Sequence, residues 1–230
     1  MKNKILYLII LLFFITNGAF AQSEFRVSAG FGGYFTSDFG GGVENTNLGR
    51  LFSRIKTPYL GGGAFIFLDA TFVELNFGGF MIQGEWEESF IVHGPPPSEG
   101  YPATYKFNAL GIGLDIGVIG KYPFAVSEKL SLFHLLGITY RAMLALAEEG
   151  YKVYNPDEYS TLWFNFGGGL DYSITKNIYL RAGIFYGIRL KNEFEKKTIE
   201  HLNTSSWGDD VIDNFLGHGL EIKFAVGFRF

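Results

Sequence analysis

The sequence contains no cysteine. This absence excludes a disulfide framework, thiolate chemistry and a lipid anchor on a cysteine. Long apolar runs are also missing after Ile15, so the rest of the chain has no segment with the ~20 apolar residues of a membrane-spanning helix. Basic residues do not cluster beyond the pair Lys196-Lys197, and the formal net charge is −4. Nucleic-acid binding is therefore not expected.

The first 21 residues have the composition of an export signal. Lys2 and Lys4 precede an apolar run from Ile5 to Ile15, and Ala19-Phe20-Ala21 offers a small-residue cleavage site. The apolar run is too short to cross a membrane as a helix. We predict a signal peptide over residues 1–21, which leaves residues 22–230 as the mature chain.

Alternation of apolar and polar residues is clearest in the last stretch, Leu220 to Phe230. One face carries only large apolar side chains: Leu220, Ile222, Phe224, Val226, Phe228 and Phe230. The other face carries polar or small residues: Glu221, Lys223, Ala225, Gly227 and Arg229. A period of two residues predicts a β-strand, and a strand that finishes on a large aromatic residue is typical of one facing lipid.

The same alternation recurs along the chain and predicts eight strands. Their predicted ranges are Glu24 to Phe35, Pro58 to Leu68, Thr71 to Gly84, Thr104 to Tyr122, Leu130 to Ala147, Ser160 to Ile174, Ile178 to Lys191 and Leu220 to Phe230. The connections alternate between long and short, and the stretch Glu85 to Ala103, with three consecutive prolines, is predicted as a loop. The predicted fold is all-β: an eight-stranded antiparallel up-and-down transmembrane β-barrel over residues 22–230, with short periplasmic turns and long outer loops.

Alternation alone leaves open which face points inward, because a soluble lipocalin-like barrel has the same period with apolar residues inside. Aromatic residues are as frequent as charged ones, at 18% each, and the polar face is rich in glycine, which favours the apolar face outward. The inward set then includes ten charged residues: Arg26, Glu74, Asp115, Arg141, Asp171, Arg181, Arg189, Glu221, Lys223 and Arg229. Because buried charges must be paired, we expect an ion-pair network across the lumen, with glycines making room for the arginines. Its role is interior packing, a gated path or a ligand site.

With its terminal phenylalanine and eight predicted strands, the chain resembles the small outer-membrane β-barrels of the OmpX/Ail group and the OmpA membrane domain. The resemblance implies a bacterial outer-membrane location, membrane lipid as surroundings and recognition of the last strand by the barrel-assembly machinery. The residues implied as the assembly signal are Phe224, Phe228 and Phe230.

Three functions remain open from the sequence. The first is a non-enzymatic barrel with a filled lumen, acting structurally or binding a host or surface ligand through four outer loops. The second is a narrow channel or a carrier for small or hydrophobic solutes. The third is a lipid-modifying barrel enzyme, which needs a His, a Ser and an acid together at one rim.

No cofactor, metal site or catalytic residue is assigned from the sequence. Of the four histidines, His134 is predicted to face lipid, whereas His201 and His218 lie in or beside the long loop Asn192 to Gly217. Aspartates in that loop could hold a divalent cation, but such loops are more often simply solvated.

Overall fold

A computed structural model describes residues 26–39, 43–45, 59–92, 101–148, 151–152, 155–190, 211–213 and 217–230. The predicted signal peptide, residues 1–21, lies outside the described residues, as does most of the loop Asn192 to Gly217. In the described part of the chain, no helix is long and apolar enough to cross a membrane.

Eight long strands form a closed antiparallel up-and-down β-barrel, which confirms the predicted fold class. They are β1 (Ser28–Phe39), β3 (Tyr59–Asp69), β4 (Val73–Val92), β5 (Tyr101–Ala125), β6 (Leu130–Glu148), β8 (Thr161–Ser173), β9 (Ile178–Arg189) and β11 (Gly217–Arg229). The short strands β2 (Val43–Asn45), β7 (Tyr151–Lys152) and β10 (Val211–Asp213) and a 3-10 helix (Pro156–Tyr159) lie between them. β2 pairs with β10, which links the chain after β1 to the chain before β11.

The barrel closes between its first and last strands. β1 pairs with β11 from Ser28 opposite Arg229 to Phe39 opposite His218, without a break in register. The other barrel strands pair with their neighbours in the chain, including β5 with β6. Every strand therefore has two partners along the barrel wall, and no sheet edge is left within it.

The two ends of the barrel differ, and we call them the turn end and the loop end. At the turn end, β3–β4, β5–β6 and β8–β9 are joined by short connections. Two of these turns are built alike: Ser127 Oγ accepts the N–H groups of Lys129 and Leu130, and Thr175 Oγ1 accepts those of Asn177 and Ile178. A hydroxyl oxygen that accepts hydrogen bonds from the N–H groups two and three residues further along the chain fixes a tight turn without glycine.

The prediction that Glu85 to Ala103 is a loop is wrong at both ends. β4 continues to Val92 and β5 begins at Tyr101, and the two pair up to Val92 opposite Tyr101. The backbone pairing of this hairpin therefore continues past Gly84, where β4 loses its other partner, β3. At the base of this hairpin, Lys106 Nζ lies 2.7 Å from Glu85 Oε1 and forms an exposed ion pair with it.

A β-bulge interrupts the wall in β6. Ile112 lies opposite Ala145, whereas the next residue, Gly113, lies opposite Met143. The extra residue changes the phase of the alternation, so Met143 and Leu146 both point inward although they are three residues apart. Ser160 Oγ accepts the N–H of Met143 at 3.0 Å and so supports the bulge.

Apolar side chains point outward and charged ones point inward. Leu110 and Ile112 are exposed on the outer face, whereas Asp171 and Arg181 are 8% and 6% exposed in the lumen. The outer face also exposes Phe31, Phe35, Leu60, Ile66, Leu68, Leu136, Ile184 and Phe224. A lipocalin-like arrangement, with its apolar face inside, is thereby excluded.

Candidate functional site

The lumen holds two clusters of charged side chains, one near each end. The turn-end cluster consists of Asp69, Glu74, Lys121, Asp171 and Arg181. The loop-end cluster consists of Asp38, Asp115, Arg141, Glu221 and Lys223. Each cluster contains three carboxylates and two cations.

Arg181 organises the turn-end cluster. Its Nε and Nη2 donate to the two oxygens of Asp171 at 2.7 and 2.9 Å. Its Nη2 also donates to Asp69 Oδ2 at 2.6 Å, and its Nη1 donates to Glu74. Lys121 pairs with Asp69 and lies 3.7 Å from Asp171. The guanidinium therefore uses several of its five donors on three carboxylates, as a charge buried from water must.

The contacts of Arg181 reach across the lumen. Arg181 lies on β9 and Glu74 on β4. These strands are four positions apart in the barrel order, on opposite walls. One side chain thus bridges the full width of the interior.

Arg141 repeats this arrangement in the loop-end cluster. Its Nε donates to Asp115 Oδ1 at 3.0 Å. Its Nη1 lies 3.3 Å from Asp38 Oδ2 and its Nη2 lies 3.6 Å from Glu221 Oε2. Arg141 on β6 and Asp38 on β1 again belong to opposite walls. Lys223 pairs with Glu221 at 2.8 Å, and the Tyr34 hydroxyl donates to Asp115.

Aromatic rings cover the faces of the lumen cations. The Arg181 guanidinium lies 4.7 Å from the ring centroid of Phe67 and 5.3 Å from that of Phe133. Lys223 Nζ lies 5.1 Å from the Phe65 centroid and 5.0 Å from that of Phe185. Rings attract cations through their quadrupole and exclude water at the same time. Each cluster is therefore held between carboxylates and aromatic faces.

Inward glycines make room chiefly for these rings, whereas the sequence predicted that they make room for arginines. A Cβ on Gly30 would lie 2.5 Å from the ring of Phe67, and one on Gly227 would lie 2.1 Å from the ring of Tyr179. The arginine expectation holds at Gly217, whose Cβ would meet the side chain of Arg189. The reason is volume: the rings fill the narrow interior, and the guanidinium groups stack on them.

Most, but not all, of the ten predicted lumen residues lie in the two clusters. Seven belong to the two clusters: Glu74, Asp171 and Arg181 in one, and Asp115, Arg141, Glu221 and Lys223 in the other. Arg229 stacks on Tyr179 at 4.5 Å and donates to Ser173 Oγ at 2.7 Å. Arg26 is exposed at the turn end, and Arg189 is half-buried at the loop end.

Three members of the clusters are not among the predicted lumen residues: Asp38, Asp69 and Lys121. The predicted strands end at Phe35 and Leu68, which leaves Asp38 and Asp69 in connections, and Lys121 lies in the predicted strand Thr104 to Tyr122 but not in the predicted inward set. Asp38, however, is inside β1, and Asp69 is the last residue of β3. Continuing the same alternation three residues past Phe35, one residue past Leu68 and along the predicted strand to Lys121 places all three on the inward face.

Some buried polar atoms lack a hydrogen-bond partner among the described residues. They are Asp69 Oδ1, both amide atoms of Asn76 and the indole Nε1 of Trp163. Trp163 lines a cavity of about 10 Å³ together with Thr36, Arg141 and Glu221. That volume is about the size of one water position, and the polar lining suits one.

A larger cavity of about 720 Å³ opens at the turn end of the barrel, and we call it the turn-end mouth. Its lining comes from the ends of β1, β8 and β11 and from the two hydroxyl-fixed turns: Arg26, Glu128, Lys129, Ser173, Ile174, Thr175, Lys176, Asn177, Arg229 and Phe230. Of these described residues, four are basic and one is acidic.

The two described histidines are both next to aromatic side chains. His218 Nδ1 lies 2.7 Å from the Tyr186 hydroxyl, and His134 packs against Phe124. His134 is exposed on the outer face, as predicted. His93 and His201 lie outside the described residues, and so does the aspartate-rich part of the last loop before residue 211. Within the described ranges, no group of three or more His, Asp or Glu side chains could hold a metal ion.

Comparisons with known proteins identify barrels but no family. No protein-family model matches the chain, and no curated protein matches it. Among solved structures it is similar to Neisserial surface protein A (12% identity, TM-score 0.40, covering 89% of this chain and 97% of that one). It is also similar to the outer membrane protease OmpT from Escherichia coli (9% identity, TM-score 0.43, 91% and 99%). A third similar structure is Ail, the attachment invasion locus protein of Yersinia pestis (14% identity, TM-score 0.34, 90% and 100%).

The closed eight-stranded barrel confirms the architecture that the predicted resemblance implies. The names of the three similar structures describe a surface protein, a protease and an attachment protein. At these identities and TM-scores the similarity concerns architecture alone, and no activity of these proteins is assigned to this chain.

Proposed function

We propose that the protein is an integral outer-membrane β-barrel with a closed lumen, and that it acts through its loop end in a structural or surface-interaction role. The observation that carries the proposal is the pair of spanning arginines. Arg181 and Arg141 each join opposite walls of the barrel, one above the other, and each is surrounded by carboxylates and rings.

The membrane part of the proposal rests on the outer face. Large apolar side chains are exposed around the whole wall, among them Phe35 at 70%, Leu60 at 69% and Leu136 at 60%. Such a belt would drive association in water but is matched to hydrocarbon, where a closed barrel leaves no backbone group unsatisfied. The loop end then faces outward and the turn end faces the periplasm.

The closed-lumen part rests on the cost of moving the clusters. Opening a path requires separating charges that are buried among rings, and removing one partner of such a pair leaves an uncompensated charge. An eight-stranded barrel has an interior just wide enough for side chains. A permanent diffusion pore is therefore disfavoured, and activity is expected at the ends of the barrel.

The loop end carries a ribbon suited to contact with a partner. Glu85 to Val92 pairs with Tyr101 to Asn108 beyond the wall of the barrel. Eight residues per strand extend about 26 Å at ~3.3 Å per residue. A host or surface ligand is the expected partner class, and a purely structural envelope role is the alternative.

Export and assembly belong to the same proposal. The signal peptide over residues 1–21 would deliver the chain to the periplasm. Phe224, Phe228 and Phe230 all expose their side chains on the outer face of the last strand. An apolar face ending in phenylalanine supports recognition by the barrel-assembly machinery.

Conductance and a ribbon deletion test the proposal. Purified protein inserted into planar bilayers should give no steady ion current, whereas a continuous current would show a channel. Replacing Trp86–Phe107 by an Asn-Gly turn should leave heat-modifiable folding intact and abolish binding to host cells or surface ligands. Unchanged binding after this deletion would leave only the structural role.

A further inference from the structure

The turn-end mouth combines cations with an open, polar cavity. Arg26, Lys129, Lys176 and Arg229 line about 720 Å³ of space, and among the described residues of that lining Glu128 is the one carboxylate side chain. A volume of this size lies in the range of small-molecule sites. The lining is unlike the lumen above it, where each cluster has more carboxylates than cations.

The framework of the mouth holds the Arg229 side chain and the backbone that carries the two lysines. Arg229 stacks on Tyr179 and donates to Ser173 Oγ, which uses one of the five guanidinium donors and leaves others for a ligand. Lys129 and Lys176 stand on the two turns whose backbone is fixed by Ser127 and Thr175. A site that is ordered before binding loses less entropy when a ligand arrives.

The lumen carboxylates above the mouth are engaged by cations of their own cluster. Asp171, two residues before Ser173, binds Arg181 with both oxygens. Asp69 is paired with Lys121 and Arg181. These acids therefore form their ion pairs within the cluster and not with Arg229 or the two lysines, whose donors face the mouth.

We propose that the turn-end mouth binds a phosphate oxyanion. Guanidinium and ammonium groups form short charge-assisted hydrogen bonds to phosphate, which has enough oxygens to engage several cations at once. The phosphate has two sources, the headgroup of an inner-leaflet phospholipid or a soluble phosphate of the periplasm. The headgroup source rests on the proposed membrane location, since the exposed Phe228 and Phe230 then place the mouth beside the inner-leaflet interface.

The test measures binding of inorganic phosphate and glycerol 3-phosphate to the folded protein in zwitterionic detergent by calorimetry. The variants are Lys129→Gln, Lys176→Gln and their combination, with Lys106→Gln at the loop end as a matched control. We expect saturable binding that weakens about threefold for each mouth lysine removed and about tenfold for both, as for exposed ion pairs. Lys106→Gln should have no effect, and Glu128→Gln should tighten binding. Raising salt from roughly 0.05 to 0.5 M should weaken binding, since exposed charges are screened.

A second arm distinguishes the sources. The protein is placed in nanodiscs of phosphatidylcholine alone or with phosphatidylglycerol, and co-purifying lipid is quantified by native mass spectrometry. Retention of phosphatidylglycerol that falls in the double lysine variant indicates the headgroup, whereas phosphate binding without lipid retention indicates a soluble ligand. The inference is overturned if the folded, membrane-inserted protein binds neither the soluble phosphates nor phosphatidylglycerol. It is also overturned if the lysine variants bind these ligands as tightly as the unchanged protein does. Either result leaves the proposed function standing. Failure to insert into bilayers would instead count against the proposed function.

Discussion

Arg181 and Asp171 face each other directly across β9 and β8 and form a two-pronged ion pair, with N–O distances of 2.7 and 2.9 Å. Arg141 and Asp115 occupy the equivalent relationship across β6 and β5. In both cases the adjacent aspartate holds the guanidinium, and acids from further around the wall meet its other nitrogens. The lumen is thus crossed twice by the same arrangement of one arginine and its acids, and each copy can be tested separately.

Arg181→Met should destabilise the barrel strongly. It leaves Asp69, Glu74 and Asp171 with Lys121 as their cation, so the expected loss of unfolding free energy is about 3–5 kcal/mol. The measurement is urea unfolding in phospholipid vesicles, followed by tryptophan fluorescence. Arg229→Met is the control, since it removes one hydrogen bond near the mouth and should cost about 1 kcal/mol. Equal losses in the two variants would show that the cluster is not a coupled unit.

Opening the lumen should require both clusters to be broken. Arg141→Ala or Arg181→Ala alone leaves the other spanning arginine in place, and two barriers in series block current while either one stands. We expect no steady conductance from the single variants in planar bilayers and a measurable one from the double variant. A single variant that conducts as well as the double would assign the closure to one cluster.

Alternation predicted the strands well because lipid and lumen impose opposite chemistry on the two faces of the wall. It was least informative where both faces are apolar, as in Phe65-Ile66-Phe67-Leu68, whose phenylalanines are buried inside and whose Ile66 and Leu68 are exposed outside. The aromatic filling of the lumen could not be read from such a run. Ion pairs across the lumen, such as Arg181 with Glu74, depend on which strands lie opposite each other and on the register between neighbouring strands. The alternation within one strand contains neither.

Gly227→Ala should destabilise the fold, whereas Gly79→Ala should not. A Cβ on Gly227 would lie 2.1 Å from the Tyr179 ring, but the nearest atom to a Cβ on the outward Gly79 is 3.8 Å away. Overpacking should cost about 1–3 kcal/mol at Gly227. At Gly79 alanine should be neutral or stabilise by up to about 1 kcal/mol, because a strand glycine loses more entropy on folding. Vesicle unfolding measures both changes, and similar values would argue against a tightly filled lumen.

Thr71 offers a test of backbone strain at the β3–β4 turn. Its φ is 65°, which is costly for a β-branched residue. Its hydroxyl accepts the N–H of Arg26 at 2.7 Å and donates to the Arg26 carbonyl at 2.8 Å. Thr71→Val keeps the strain and loses both bonds, so we expect a loss of about 1–3 kcal/mol. Thr71→Gly loses the same bonds but relieves roughly 1–2 kcal/mol of left-handed strain. In urea unfolding from vesicles, the glycine variant should therefore unfold at a higher urea concentration than the valine variant. The reverse order would show that the strain is negligible.

The height of each residue along the wall should decide how much an outward charge costs. Ile184 lies near the middle of β9 and Val126 lies in a turn at the barrel end, yet they are almost equally exposed, at 57% and 56%. In water, arginine at either position would be harmless. In a bilayer, Ile184→Arg should cost about 2–4 kcal/mol and Val126→Arg about 0–1 kcal/mol, because the penalty falls from the midplane to the interface. Unfolding from vesicles measures both, and the same pair in detergent micelles shows whether the difference depends on a bilayer. Equal costs in vesicles would mean that the apolar belt does not face hydrocarbon, and the membrane proposal would fail with it.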